Sequence, residues 1–452
     1  MNLHVMISAL AAAAVLMGCN YHRNDLQLDK ENETKSDFYI AVEENPNASP
    51  AQMRRELSQF FLVEQFTVGA NDSMIRALKS NPPGGILFWN GGGDDSEKLK
   101  ASIQTYSVAA KKLGLKPLLF STDYEGGAYN KTPFHSFIPG VQRFSTGFTK
   151  LAHPRWLGES IKTYGLELCG LHGKLIAKEL KVVGINYPLS VVSDLATQAL
   201  TSVRGISKDA GKVSACVVEI NKQFIQQKDI IFVTKHFPGI GLTKGDTHEG
   251  VVTSDVVDPA KLLMHLKPFD DLIKSTKVQA HEESLSIMTT HAKFKGYDPN
   301  NLTTESRLVA HGLLKEKMQF AGLVVSDAMW MGDYGQLQSI DLMPVYLNAF
   351  ISGMDLLMIP GGRFKEAVAY FRRVFDKKLT DEERLKLVEK MQLSFEDVHV
   401  LFIARLQEAI ATHQAVRGVI KHPHEFIESM TPVETTTKDQ ERYYEILNAL
   451  GG

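Results

Sequence analysis

Beyond residue 55 the chain alternates short apolar runs with longer stretches in which apolar residues recur every three or four positions. The runs are 60–68, 85–89, 117–122, 182–189, 230–236, 286–291, 322–326 and 355–359. Lacking strict alternation, they read as strands buried on both faces, as in a parallel sheet. The intervening segments, roughly 96–113, 160–181, 209–228, 259–276, 305–319 and 341–352, read as helices. Successive βα units of this kind predict an α/β fold: a (β/α)8 TIM-type barrel over residues 51–365, with an open doubly wound sheet as the alternative. After the turn Pro360-Gly361-Gly362, a helix is predicted from Phe364 to about Asp376. One or two more follow over 380–414, making residues 366–452 a C-terminal helical extension.

The front of the chain follows a different pattern. No Asp, Glu, Lys or Arg precedes Arg23, and Val5 to Met17 is almost entirely apolar. Such a run is short for a bilayer span and suits the core of a secretion signal. It ends in Leu16-Met17-Gly18-Cys19, which resembles a bacterial lipobox in which the Cys19 thiol takes a lipid. Residues 1–18 then read as a lipoprotein signal peptide, an ordinary cleaved signal or a buried helix being the alternatives, and 19–50 as a polar tether with too little apolar surface to pack. The chain is expected to be exported and membrane-anchored, facing the periplasm or the cell exterior. Two further cysteines, Cys169 and Cys216, fall in predicted helices. They are read as two separate buried thiols, one disulfide being the alternative.

Composition changes this picture little. The 452 residues are 44% hydrophobic and 23% charged, with a formal net charge of -2. These values suit a globular domain and leave no basic footprint for nucleic acid. The cysteine count does not indicate a zinc or iron–sulfur site. A monomer is expected.

Polar residues gather where the apolar runs end. Asp123 and Glu125 follow the third, Lys235 and His236 close the fifth, His291 closes the sixth, and Asp327 follows the seventh. In a barrel the carboxyl ends of all strands share one face, so these groups would converge. The stretch Thr234-Lys-His-Phe-Pro-Gly-Ile-Gly-Leu-Thr-Lys-Gly-Asp-Thr-His248 is the most specific. It resembles the K-H-F-P-G-x-G…D-[ST]-H motif of family 3 glycoside hydrolases, in the β-N-acetylglucosaminidase branch. Thr122-Asp-Tyr-Glu-Gly-Gly127, Val141-Gln-Arg-Phe144, Gly184-Ile-Asn-Tyr-Pro-Leu189 and Gly322-Leu-Val-Val-Ser-Asp327 extend the resemblance from about Leu57 to Gly362.

That resemblance implies a retaining exo-β-N-acetylglucosaminidase acting on GlcNAc-containing glycans such as peptidoglycan fragments. Cleaving a glycosidic bond creates positive charge at the anomeric carbon and negative charge on the departing oxygen, so a carboxylate and a proton donor are needed. The resemblance makes Asp327 the nucleophile and His248 the acid/base, with Asp246 holding the imidazole, and implies that no metal or other cofactor is needed because these groups suffice. Asp123, Arg143, Arg204, Lys235, His236 and His291 match substrate-contacting positions. Three glycines in 239–245 would let the acid loop move.

The chain departs from the family in several places. Ile240 replaces a second histidine, Ala128 replaces an arginine, residues 128–140 are inserted before Val141, and Gly205-Ile206 follows Arg204. A β-glucosidase or GlcNAc phosphorylase of the same family, and a non-catalytic receptor for wall fragments, are the alternatives.

Overall fold

The computed structural model describes residues 48–66, 69–88, 96–125, 153–427 and 437–451. The apolar leader, Cys19, Arg143 and the 128–140 insertion lie outside the described residues. The elements follow in the order α1 (Pro50–Glu56), β1 (Phe61–Gln65), α2 (Asp72–Ser80), β2 (Gly85–Phe88), α3 (Ser96–Lys112), β3 (Leu119–Ser121), α4 (Arg155–Tyr164), α5 (Glu167–Val182), β4 (Val191–Val192) and α6 (Ala210–Gln227). Next come β5 (Phe232–Phe237), β6 (Val252–Ser254), α7 (Pro259–Val278), β7 (Leu285–Thr289), β8 (Ala292–Phe294), α8 (Leu308–Lys317), β9 (Leu323–Val325), α9 (Ser339–Ile351) and β10 (Leu357–Ile359). The chain ends with α10 (Phe364–Phe375), α11 (Asp381–Met391), α12 (Phe395–Gly418) and α13 (Thr437–Leu450).

This is an α/β fold of parallel sheets. One four-stranded sheet runs β10-β1-β2-β3, another runs β4-β5-β7-β9, and β6 pairs with β8 apart from both. Two isolated parallel bridges, Asp123 with Leu189 and Val325 with Leu356, lie between the edges of the four-stranded sheets. Side chains from both sheets share one apolar cluster, including Leu62, Leu87, Leu119, Leu189, Val233, Met288, Val325 and Met358. That layer is tight: a Cβ at Gly85 would lie 2.4 Å from the Leu119 carbonyl oxygen.

Three expectations need correction. The fourth apolar run does not form its strand at 182–189. Helix α5 continues through Val182, and regular pairing begins only at Val191. Residues 184–189 nonetheless lie along β3, where the Asn186 side chain takes the Phe120 N–H at 2.7 Å and donates to the Leu118 carbonyl at 3.0 Å. These side-chain bonds, which no periodicity reveals, supplement backbone bonds from the Tyr187 N–H to the Phe120 carbonyl at 3.0 Å and from the Leu189 N–H to the Thr122 carbonyl at 2.9 Å. The helix expected over 160–181 is broken in two at Gly165, whose φ of 60° lies in the left-handed region that glycine tolerates. Finally, Cys169 and Cys216 form a disulfide instead of standing as separate thiols. Helices α5 and α6 approach so closely that a Cβ at Gly173 would come within 2.8 Å of the Ile220 backbone. That approach leaves the two cysteine Cα atoms 5.4 Å apart, within bonding range.

The C-terminal helices pack into the same structure. Val416 and Ile420 join the central cluster. The buried Arg417 guanidinium donates to the Pro117 carbonyl at 2.8 Å, to the Lys116 carbonyl at 3.0 Å, and to Gln59 Oε1. These partners precede β3 and β1, so α12 closes the amino-terminal end of the strands and leaves the carboxyl end for chemistry.

The disulfide closes a separation of 47 residues, and a loop of that length is worth about 4 kcal/mol through its constraint on the unfolded chain. Denaturant unfolding with and without reductant should show a loss of that order, and an unchanged midpoint would show the bond to be energetically idle.

Candidate active site

At the carboxyl ends of the strands lies a pocket of about 400 Å³ lined by Asp123, Glu125, Leu189, Arg204, Lys235, His236, His248, Met288, Asp327, Ala328, Met331 and Met358. Asp327 follows β9, Lys235 and His236 belong to β5, and Asp123 and Glu125 follow β3. Consecutive strand residues ordinarily face opposite ways, yet Lys235 and His236 both line the pocket. The ladder with β7 changes register between Lys235 and Phe237, and the Lys235–His236 and Phe237–Pro238 peptide bonds are cis.

Lys235 organises one wall. Its Nζ lies 2.6 Å from Asp123 Oδ1 and 2.7 Å from Glu125 Oε1, and donates to the Leu189 carbonyl at 2.7 Å. Arg204 grips Glu125 with both arms, Nε to Oε2 at 2.8 Å and Nη2 to Oε1 at 2.6 Å. Two carboxylates and two cations therefore cancel in a buried cluster, which is the condition for burying charge at tolerable cost. Burial opposes ionisation of Glu125, but Arg204 and Lys235 outweigh it and hold the carboxyl well below its usual range. Asp123 moves the other way: burial, aided by the negative Glu125, raises it despite Lys235.

The second wall carries the imidazoles. His236 Nδ1 is 2.7 Å from Asp194 Oδ2, and Asp194 also accepts the backbone N–H of His236 at 3.1 Å and that of Ile240 at 2.8 Å. His248 Nδ1 is 2.5 Å from Asp246 Oδ1. Of the three glycines in this loop, Gly241 serves close packing, since a Cβ there would lie 2.5 Å from the Leu195 carbonyl oxygen. Gly245 has a φ of 114°, a conformation that favours glycine, and a Cβ there would meet nothing closer than 3.6 Å.

Asp327 accepts the Ala328 N–H at 2.8 Å. Burial raises its pKa, but the surrounding rings of His236, His291 and His248, with that N–H, win and hold the carboxyl below its ordinary value.

The structure thus brings Asp123, Arg204, Lys235, His236, His248 and Asp327 to one pocket, with Asp246 behind His248. His291 stands apart from that lining. Its Nε2 donates to the Ala328 carbonyl at 3.1 Å, its Nδ1 lies 2.9 Å from Thr304 Oγ1, and its ring meets Tyr334 edge-on. Arg143 lies outside the described residues.

Of two further site residues, Glu125 was expected at this face without a role, and Asp194 escaped the sequence reading. Glu125 was visible two positions after Asp123, but only the fold shows it joining two cations. Asp194 follows β4, and placing that strand too early hid it. Among the described residues, no group of three or more His, Cys, Asp or Glu is placed to hold a metal ion.

Residues 52–391 match the glycosyl hydrolase family 3 N-terminal domain, and the chain belongs to that family. A β-hexosaminidase of Chromobacterium violaceum is 28% identical over 262 residues, covering 57% of this chain and 66% of its own length. A β-hexosaminidase of Thioalkalivibrio sulfidiphilus is 29% identical over 231 residues, 48% of this chain and 59% of the relative. The chain therefore spans two thirds or less of these curated relatives. Among solved structures, a family 3 β-N-acetylglucosaminidase from Paenibacillus sp. str. FPU-7 superposes with a TM-score of 0.66 at 21% identity, covering 87% of this chain and 68% of that one. NagZ from Neisseria gonorrhoeae, in complex with N-trifluoroacetyl-D-glucosamine, superposes at 0.57 and 21% identity, covering 80% and 97%. At these identities the likeness is one of fold.

The depressed folded pKa of Glu125 means that its pairing adds stability which is complete above the unfolded carboxylate value near 4.3 and fades as pH falls through the folded value. Lys235→Met should therefore cost about 3–5 kcal/mol at neutral pH, with a smaller difference from the wild type below about pH 4. Urea unfolding across pH checks both, and a pH-independent difference would contradict the charge-pair account.

Proposed function

We propose that the chain is a retaining exo-β-N-acetylglucosaminidase that removes terminal β-GlcNAc from peptidoglycan fragments or related amino-sugar glycans. The observation that carries this reading is the convergence of Asp327 and the Asp246–His248 pair on one pocket with the Asp123–Lys235–Glu125–Arg204 cluster. Membership of family 3 and the β-hexosaminidase relatives support it.

In the first step the Asp327 carboxylate attacks the anomeric carbon. The bond to the departing oxygen breaks as an imidazole N–H of His248 supplies its proton. Because Nδ1 faces Asp246, that donor is Nε2. In the second step Nε2 takes a proton from water, the water oxygen bonds to the anomeric carbon, and Asp327 leaves as carboxylate. Asp246 keeps the ring oriented through both. Asp123, Arg204, Lys235 and His236 hold ring hydroxyls, with Arg143 as a further candidate contact.

We read the two four-stranded sheets as halves of one (β/α)8 barrel spanning 51–365, with 366–452 as its helical extension. The two inter-sheet bridges and the shared apolar cluster support closure. Export as a lipoprotein anchored at Cys19 accords with the Cys169–Cys216 disulfide, which suits an oxidising compartment.

Asp327→Asn should lower turnover of nitrophenyl β-GlcNAc at least about a thousand-fold while leaving the melting temperature intact. Proton NMR should show the β-anomer released first; a first-formed α-anomer would exclude double displacement, and preference for nitrophenyl β-glucoside would move the chain to the glucosidase side. Cys19→Ala should shift the protein from the membrane to the soluble fraction, and unaltered membrane retention would remove the lipid anchor.

A further inference from the structure

Glu64 is a buried carboxyl that the mechanism above does not use. It sits on β1 directly before Gln65, and the two side chains face opposite layers. Gln65 Oε1 accepts the Tyr106 hydroxyl at 2.9 Å, so it points outward to α3. Leu62, two residues before Glu64, belongs to the central cluster, and so does Leu87, the register partner of Glu64 on β2. Glu64 therefore faces inward. On the other side, Leu62 pairs with Met358, which lines the pocket, and Glu64 lies one step nearer the carboxyl end on the same face.

Its environment is unlike that of the other carboxyls at this end. Asp123 and Glu125 meet Lys235, Asp194 meets His236, Asp246 meets His248, and Asp327 accepts the Ala328 N–H. Glu64 is only 4% exposed, yet its Oε1 has no hydrogen-bond partner. Burial pushes its pKa up to about 7, so near neutral pH it can donate as well as accept. A buried, unsatisfied polar atom is a liability to the empty fold. At the carboxyl ends of parallel strands, where ligands bind, it has a use.

We propose that Glu64 is a specificity-determining residue whose inward carboxyl hydrogen-bonds one hydroxyl of the sugar ring held in the Asp123–Asp327 pocket. This rests on the amino-sugar reading above and adds to it a contact from β1.

The test compares Glu64→Met and Glu64→Gln in the full chain on nitrophenyl β-GlcNAc and on its 3-, 4- and 6-deoxy analogues. Met keeps the volume and removes the hydrogen bond, so the melting temperature should hold or rise while kcat/KM on the parent sugar falls roughly ten- to a hundred-fold. On the one analogue lacking the contacted hydroxyl, wild type and Glu64→Met should converge. Glu64→Gln should recover most of the activity. An equal loss on all analogues, a lowered melting temperature without selective loss, or no loss at all would overturn the proposal. If the wild-type chain binds GlcNAc without turning it over, the hydrolase reading fails alone, and the same pattern sought in dissociation constants decides the Glu64 contact. A chain that binds no amino sugar overturns both.

Discussion

The ammonium of Lys235 is the point on which the site and much of the scaffold depend. It lies against the Asp123 carboxylate and the Leu189 carbonyl, the two residues that form one of the two isolated parallel bridges between the sheets. One side chain from β5 thus stitches β3 to the segment entering β4. Its third contact, Glu125, passes the connection to Arg204 in the loop beyond β4. Burying such an ion alone would be prohibitive; burying it among two carboxylates and a carbonyl makes the cluster self-consistent and rigid. Rigidity matters for chemistry, because polar groups already aimed at a substrate need not reorganise when it reacts.

The opposite end of the strands is closed by different means. Helix α12 inserts Val416 into the central cluster, Ile420 joins it just past the helix end, and Arg417 is secured to two backbone carbonyls before β3 and to the Gln59 side chain before β1. Burial brings the Arg417 pKa down to about 10, still far above neutrality, so the guanidinium stays charged and its bonds stay charge-assisted. On the flank, the disulfide joins α5 to α6 where a glycine already permits close approach. Polar strength is thus concentrated at the two ends of the strands, and the middle is apolar.

The residues that line the pocket and those packed around it are not equally committed to structure. Asp194 is consumed in orienting His236 and fixing the Ile240 N–H. His291 supports the Ala328 carbonyl beside Asp327. Asp327 and Glu64 are held more sparsely: the former by one local N–H, the latter with an oxygen bonded to nothing. A group left incompletely satisfied, as Asp327 is in the pocket lining, is one that a ligand can complete.

Much was legible in order along the chain. Apolar runs with helical stretches between them placed most strands within a few residues, because burial on both faces leaves a continuous signature. Asp123, Lys235, His236 and Asp327 were recognisable because each follows or closes such a run. The sequence by itself thus determined the βα alternation, the polar ends of the strands and the family motifs. Tertiary structure decided the rest. Asn186 adds side-chain bonds to the backbone rungs along β3, Glu125 acquires its meaning from two cations far along the chain, and Cys169 finds Cys216 across two packed helices. Helix α12 turns from an appendage into a plug for the same reason: charge pairing, hydrogen bonding and close packing act through distances in space, which one-dimensional periodicity does not encode.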